Sequence, residues 1–245
     1  SACLVGSEMC IRDSYFAHRS FKTGRAFQFL LALGGCTALR GGPLWWAAYH
    51  RHHHQHSDTP EDVHSPDKGF WWSYGGWLVS GRFDHTLYGR VPDLAAYPEL
   101  RWLNRWWLVP PAALALAVGL LGGWGAFAIG FCLSSALLLH ALATIDSLAH
   151  LFGSRRYATP DTSRNSFLLA LVSLGEGWHN NHHHYQSSVN QGFFWWGVDS
   201  TYTALWALAR VGLVWGLRTP PAHVLTRNLE DPAPAGQRRR VAAPG

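Results

Sequence analysis

Ten of the fifteen histidines stand in two short windows, when His64 is counted with the first. The first runs through His50, His52, His53, His54 and His56, with Asp58 just beyond; the second holds Glu176, His179, Asn180, His182, His183 and His184. Each window places imidazoles at i, i+3 and i+4: His50, His53 and His54, and again His179, His182 and His183. Those positions share one face of a helix, so three rings can converge on one point. His150, one turn beyond Asp146, and His18 are further candidates. Such dense imidazole sets suit zinc, copper or iron rather than magnesium or calcium. A tetrahedral zinc takes about four ligands, so this many converging rings imply two metals. Without metal each ring would need a hydrogen-bond partner, and no comparable supply of carboxylates stands beside the clusters in sequence. His52, His56 and His184 fall outside the repeated pattern and read as ordinary polar residues. Asp58, Glu176 and Asn180 are candidates to orient the rings from behind.

The elements that must position these residues suggest an all-α, membrane-embedded chain. Among 245 residues only 14% are charged, while 14 are Trp, a composition suited to a membrane interface. The net charge of +5 comes from basic residues dispersed among Trp and Leu, which argues against nucleic acid. Mean hydropathy is close to zero, as for a few spans joined to a large polar lobe. Leu103 to Leu121 and Ala126 to Ile145 are each near the roughly 20 residues of a spanning helix. With Gly122, Gly123 and Gly125 between them, they read as a transmembrane hairpin over about 103–145. Arg101 and Arg105 stand at its start and Arg155 and Arg156 follow, which places both open ends, and the His windows, in the cytoplasm. Phe27 to Leu39 is too short to cross and reads as a buried or interfacial helix. Phe70 to Val79 reads as a membrane-surface segment, and Thr201 to Leu217 as a helix packed on the core or the membrane.

Both ends carry unusual sequence. Leu4 to Asp13 looks like one translated frame of a transposase-type sequencing adapter, with Ser14 its next partial codon, so 1–14 is expected to be artefact. Cys3 and Cys10 then drop out of the four cysteines, and no CxxC pair or disulfide framework remains. Positions 227–245, rich in Pro, Ala and Arg, are expected to be a disordered tail.

The combined motifs resemble those of membrane fatty acyl desaturases. The run 50–54 (HRHHH) with Asp58 is similar to their HRxHH box, and 175–183 (GEGWHNNHH) to their third box. The stretches 57–66 (SDTPEDVHSP), 146–150 (DSLAH) and 153–157 (GSRRY) follow in the family's order. The resemblance covers Tyr15 to Leu217, within a desaturase domain at 15–226, and is strongest to bacterial Δ9, stearoyl-type enzymes. It implies two iron ions held by His18, His50, His53, His54, His150, His179, His182 and His183. It also implies a ninth His five residues before His18, where Asp13 stands, so the chain as written is expected to bind metal poorly and to lack a preceding hydrophobic hairpin. The family tends to place Asn where Asp146 stands, reaching the metal through water.

Removing two hydrogens from unactivated methylenes is beyond side-chain acids and bases, and calls for a metal that draws on O₂. Glu-x-x-His occurs at 61–64 and 176–179, but imidazoles far outnumber glutamates in the two windows, so the site reads as the all-His kind rather than the mixed Glu/His kind of soluble di-iron bundles. It has no haem, flavin or iron–sulfur motif, so electrons come from an external donor, a ferredoxin-like protein or a b-type cytochrome with its reductase. The resemblance further implies a kinked tunnel for a long acyl-CoA or acyl-lipid, a cis double bond as product and a multi-pass site in the bacterial inner membrane. A lipid hydroxylase or ketolase uses similar boxes but inserts oxygen. A non-enzymatic metal-binding membrane protein predicts ionisable residues within the spans, where only His140 qualifies.

Overall fold

A computed structural model gives the architecture of residues 11–230; the adapter-like stretch up to Cys10 and the tail from 231 lie outside these described residues. The chain is mostly helical. Its principal helices are α1 (Ile11–Ala17, π-helical), α2 (Arg25–Cys36), α3 (Pro43–His56), α4 (Pro98–Arg105), α5 (Val109–Gly125), α6 (Ser134–Asp146), α7 (Leu148–Leu151), α8 (Phe167–Val172), α9 (His179–His184) and α10 (Ser200–Arg210). Two short strands, β1 (Lys22–Thr23) and β2 (Val214–Trp215), pair antiparallel with Lys22 opposite Trp215.

α3 carries the first His window, and local chemistry fixes where it begins. Pro43 occupies the first turn, where its missing N–H costs nothing. Asn104, in α4, accepts hydrogen bonds at its Oδ1 from the Leu44 and Trp45 N–H groups at 3.1 and 2.8 Å. Two donors that the helix leaves unpaired are thereby satisfied. Only glycine at 42 permits this approach, because a Cβ there would lie 2.4 Å from that Oδ1. One face of α3 buries Leu44, Ala47 and Ala48 with Tyr15, Phe16, Leu31, Leu100 and Leu103. Trp46 and Tyr49 enter a second cluster with Val63 and Trp77. Each large apolar side chain fully buried in this way contributes roughly 2 kcal/mol. The remaining face is left to the histidines.

The apolar hairpin starts later than expected. Leu103 is wholly buried in α4 rather than leading a span, and Trp106 breaks that helix with φ −109° and ψ 34°. Pro110 and Pro111 can open a helix but not continue one, so α5 begins at Val109. The stretch Val109–Leu151 is long and apolar enough to cross a membrane. Straight, its 43 residues would extend about 65 Å, twice a bilayer core. Gly123, at φ 71° and ψ −171°, turns it back instead. A Cβ added at Gly130 would touch Val118 at 3.7 Å, and one at Gly119 would touch Phe127 at 3.8 Å, contacts that require the two arms to pack side by side. The returning arm is π-helical over Ala126–Leu133 before α6.

Other segments follow their expected places with local changes. α2 buries Gln28, Leu31, Ala32 and Cys36 within the Phe27–Leu39 stretch. In Phe70–Val79, Trp77 is buried against Trp45, whereas Trp71 is 76% exposed. α10 covers the first part of Thr201–Leu217, capped by the Asp199 carboxylate on the Tyr202 N–H at 2.8 Å, and its end turns into β2. Of the positions expected to form a disordered tail, 227–230 lie among the described residues. Ala158 and Glu230 donate backbone hydrogen bonds to Asn228 and Arg156, and Arg155 pairs with the Glu230 carboxylate at 2.8 Å. Ile11 to Ser14 form part of α1, with Asp13 buried.

Candidate metal centre

Four elements deliver the rings. α1 ends just before His18, α3 supplies His50, His53 and His54, α7 supplies His150, and α9 supplies His179, His182 and His183. The eight rings sort into two groups of four: His18, His50, His54 and His182, and His53, His150, His179 and His183. Within each group the candidate ligand nitrogens all lie within 4.8 Å of one another. The i, i+3, i+4 sets therefore share a face, as expected, but each set is divided between the two groups. In the first group the Nε2 atoms of His18 and His50 are 2.9 Å apart, those of His50 and His54 3.0 Å, and those of His54 and His182 2.9 Å. In the second, the Nε2 atoms of His150 and His179 are 3.0 Å apart.

The backs of three rings are held by carboxylates, more than the sequence beside the clusters suggested. Both oxygens of Asp62 lie 3.0 Å from His53 Nδ1, Asp58 Oδ2 lies 3.0 Å from His150 Nδ1, and Asp161 Oδ2 lies 2.7 Å from His183 Nδ1. Of these three, Asp58 is the one singled out in the sequence. Asp62 lies nine residues after His53 with no helical register to link them, and Asp161 sits in a loop between α7 and α8. A carboxylate that accepts from Nδ1–H fixes the tautomer, leaving a lone pair on Nε2.

Among the described residues, neither Asn180 nor Glu176 is hydrogen-bonded to a ring. The Asn180 carbonyl accepts from the Arg156 and Tyr157 N–H groups at 2.9 and 2.8 Å, so it pins a loop against α9. Glu176 lines a cavity of about 20 Å³ together with Asp13, Arg40, Asp146, His50, His179 and His182. Burial, and then the charge of Asp13, raises its carboxyl well above the ordinary range. Asp146 accepts a hydrogen bond from Arg40 Nη2, so its carboxylate is engaged by a guanidinium rather than by a ring. His184 stacks on Tyr157 at 3.8 Å and bonds the Val224 carbonyl at 3.0 Å, and His52 bonds the Glu61 carbonyl at 2.9 Å. His64, also buried, stacks on His53 at 4.1 Å.

α1 explains the spacing between Asp13 and His18. The His18 N–H donates to the Asp13 carbonyl at 2.8 Å, an i to i+5 bond that sets positions five apart on one face. The Asp13 carboxylate takes a 2.5 Å hydrogen bond from Trp46 Nε1 and lies 3.6 Å from His50 Nδ1. Burial pushes it up to about 7.

The electrostatics favour uncharged rings. Burial holds His18 at about 3, and His50, His54, His179 and His182 well below the usual imidazole range, with neighbouring rings adding to the effect. His53 is the exception: burial pulls it down, but the charge and hydrogen bond of Asp62 leave it raised. Neutral imidazoles offer the lone pairs that metals take. The Nε2 atoms of His53 and His183 are buried, and no hydrogen-bond partner meets them among the described residues. With His53, His150 and His183 each bonded to a carboxylate through Nδ1, three lone pairs face one point and repel unless a cation joins them. The donor set fits a metal in each group.

A family model described as "Fatty acid desaturase" matches residues 15–207. The chain is 39% identical over 202 residues to the "sn-2 palmitoyl-lipid 9-desaturase" of Nostoc sp. (strain 36), covering 80% of this chain and 71% of that protein. It is 38% identical to the "sn-1 stearoyl-lipid 9-desaturase" of Anabaena variabilis, covering 80% and 72%. It is 32% identical to the "Hex-5-enoyl-[acyl-carrier protein] acetylenase" of Moorena producens (strain JHB), covering 86% and 72%.

Proposed function

The chain belongs to the fatty acid desaturase family, oxidoreductases that act on acyl chains, and from this premise we propose that it introduces a cis double bond at the 9 position of a long saturated acyl-lipid. Two hydrogens leave adjacent methylenes with two electrons. An external donor, of the ferredoxin-like or b-type cytochrome class, supplies two more electrons, two protons are taken up, and one O₂ becomes two waters. Two iron ions, when bound, supply the redox chemistry with O₂ that no side chain provides.

The observation that carries this reading is the sorting of eight rings into two groups of four with carboxylates behind three of them. His18, His50, His54 and His182 would hold one ion, and His53, His150, His179 and His183 the other. Asp58, Asp62 and Asp161 keep the proton of each partner ring on Nδ1 and fix its orientation. A cleft of about 970 Å³, lined by Leu39, Trp45, Leu78, Trp107 and Leu139 among others, is suited to an apolar chain. The α5–α6 hairpin would cross the bacterial inner membrane, with the histidines on the cytoplasmic side.

Expression in a desaturase-deficient host, followed by fatty-acid and elemental analysis, tests the proposal. A 9-unsaturated product is expected, with iron as the bound metal. One zinc and no iron would end the di-iron reading, and a hydroxylated product would replace desaturation by oxygen insertion.

A further inference from the structure

Two cavities lie close to the histidines without a common wall, except at one residue. The cleft of about 970 Å³ and the histidine-lined cavity of about 20 Å³ share Arg40 and nothing else among their lining residues. Arg40 is 2% exposed. It lies in the loop between α2 and α3, flanked by Leu39 at φ 58° and Gly41 at φ 79°. A leucine rarely adopts that backbone, and such conformations persist where the surroundings impose them, often at working sites. The loop is held from behind, since Arg12 donates to the Arg40 carbonyl at 2.5 Å. The guanidinium packs over the rings of Trp46 and Trp77 at 4.7 and 5.8 Å. Its Nη2 donates to Asp146, while Nε and Nη1 are buried without a hydrogen-bond partner among the described residues.

We propose that the Arg40–Asp146 ion pair is the partition between the acyl cleft and the histidine-lined cavity, and that it determines which carbons of a bound chain meet the histidines. The inference rests on the acyl desaturase reading given above. The small cavity holds about one water-sized probe, far less than a methylene pair requires. A hydrocarbon filling the cleft is therefore stopped at the guanidinium face. The guanidinium is held by Asp146 and packed over Trp46 and Trp77, so advancing past it means breaking the pair and stranding a buried charge. The planar group tied to Asp146 acts as a stop, and the carbons resting against it are those nearest the rings. Arg40 and Asp146 are positioning residues and bind no reacting atom.

The test replaces the pair together, Arg40→Met with Asp146→Leu, because removing one partner would strand a buried charge whereas an apolar pair of similar volume is tolerated. The full chain in vesicles is given a stearoyl lipid with a mid-chain diazirine, irradiated, and the labelled residues are mapped by mass spectrometry. In the unaltered protein label is expected on Leu78, Leu139 and Ala143. In the paired variant it should extend to Trp46, Leu142 and Ile145, and the double bond should spread from one position to several. Arg40→Lys, which keeps a charged plug, should restore the original labelling. Should the paired variant fail to fold by circular dichroism, Asp146→Asn, which loosens the pair while keeping its shape, decides on the same labelling. Labels confined to the cleft in every folded variant would overturn the partition. Correct labelling with no unsaturated product from the unaltered chain would overturn the desaturase reading instead.

Discussion

Both carboxylate oxygens of Asp62 lie 3.0 Å from Nδ1 of His53, and the two residues are 0% and 2% exposed. So complete a burial of an acid with an imidazole makes Asp62 the strongest control on how His53 presents its Nε2. Replacing it by Asn keeps an acceptor but removes the charge; Ala removes both. Metal affinity is expected to fall by about tenfold for Asp62→Asn and towards about a hundredfold for Asp62→Ala, the range seen when such outer carboxylates are lost. Iron titration followed by absorbance measures it. Unchanged affinity in both variants would show that Asp62 serves only the loop around Asp58 and His64, whose N–H groups it also accepts.

The i, i+3, i+4 pattern made the converging faces of α3 and α9 legible in sequence, because helical period alone puts three rings on one side. The division of each set between two groups was not legible. It depends on how α3 and α9 face each other and on where α7 inserts His150. The carboxylates were read only in part for the same reason: Asp62 meets His53 through a turn with no helical register, and Asp161 reaches His183 from a loop 22 residues earlier. Apolar length revealed the hairpin, yet Leu103 was misassigned because a core helix and a span look alike until a break such as Trp106 separates them. Hydropathy gave no hint of Arg40, whose role comes from a left-handed loop.

The π-helical bond from His18 N–H to the Asp13 carbonyl puts position 13 on the same face as His18. A histidine there would be directed towards His50, which Asp13 already approaches at 3.6 Å. Asp13→His is therefore expected to raise iron content towards two per chain and to strengthen desaturation. Elemental analysis of both proteins, purified side by side, checks it. Equal iron in the two would mean that the site needs no ligand at position 13.

The environments of His53, His182 and His184 predict different losses. His53→Ala and His182→Ala each remove a member of a four-ring group, and both should abolish product and lower bound iron. His184 instead stacks on Tyr157 and bonds the Val224 carbonyl. His184→Ala should retain iron and most activity while losing about 1 kcal/mol of stability from the missing hydrogen bond. Iron content and thermal midpoint, measured on all three, separate the two behaviours. Similar mild losses at His53 and His182 would remove the rings from the centre.

The turn at Gly123 predicts a topology. With Cys3, Cys10 and Cys132 replaced by Ser and the buried Cys36 kept, a cysteine at Gly125, where an added Cβ meets nothing within 4 Å, reports on the hairpin tip. A cysteine at Ala158, exposed near the histidines, reports on the other side. In sealed inside-out vesicles an impermeant maleimide is expected to label position 158 alone, and to reach 125 only after the vesicles are opened. Labelling of both before opening would mean that the hairpin does not cross.

The last expectation concerns acid. His18 titrates near 3 in the folded chain because burial disfavours its charge, and His50, His54, His179 and His182 are likewise held well down. Unfolded, each would protonate near pH 6.5. Between about 6.5 and 3 the unfolded chain therefore binds more protons, and stability falls as pH falls. Three buried carboxyls act in the opposite sense: Asp13 at about 7, Asp199 at about 6, and Glu176, all raised by burial. They are protonated in the folded chain while still ionised in the unfolded one, so acidification towards about 4 favours folding through them. His64 and His183, also lowered, act with the five rings, and His53, raised by Asp62, acts with the carboxyls. The lowered rings outnumber the opposing groups, and the metal-free protein should melt at a lower temperature at about pH 5 than at about pH 7. Iron held as proposed would occupy the same Nε2 lone pairs that protons would take, so loading should raise both midpoints and pH 5 should promote its release. Thermal scans with and without iron at the two pH values measure this. A higher midpoint at pH 5 in the metal-free chain would show that the carboxyls, not the rings, dominate the buried charge.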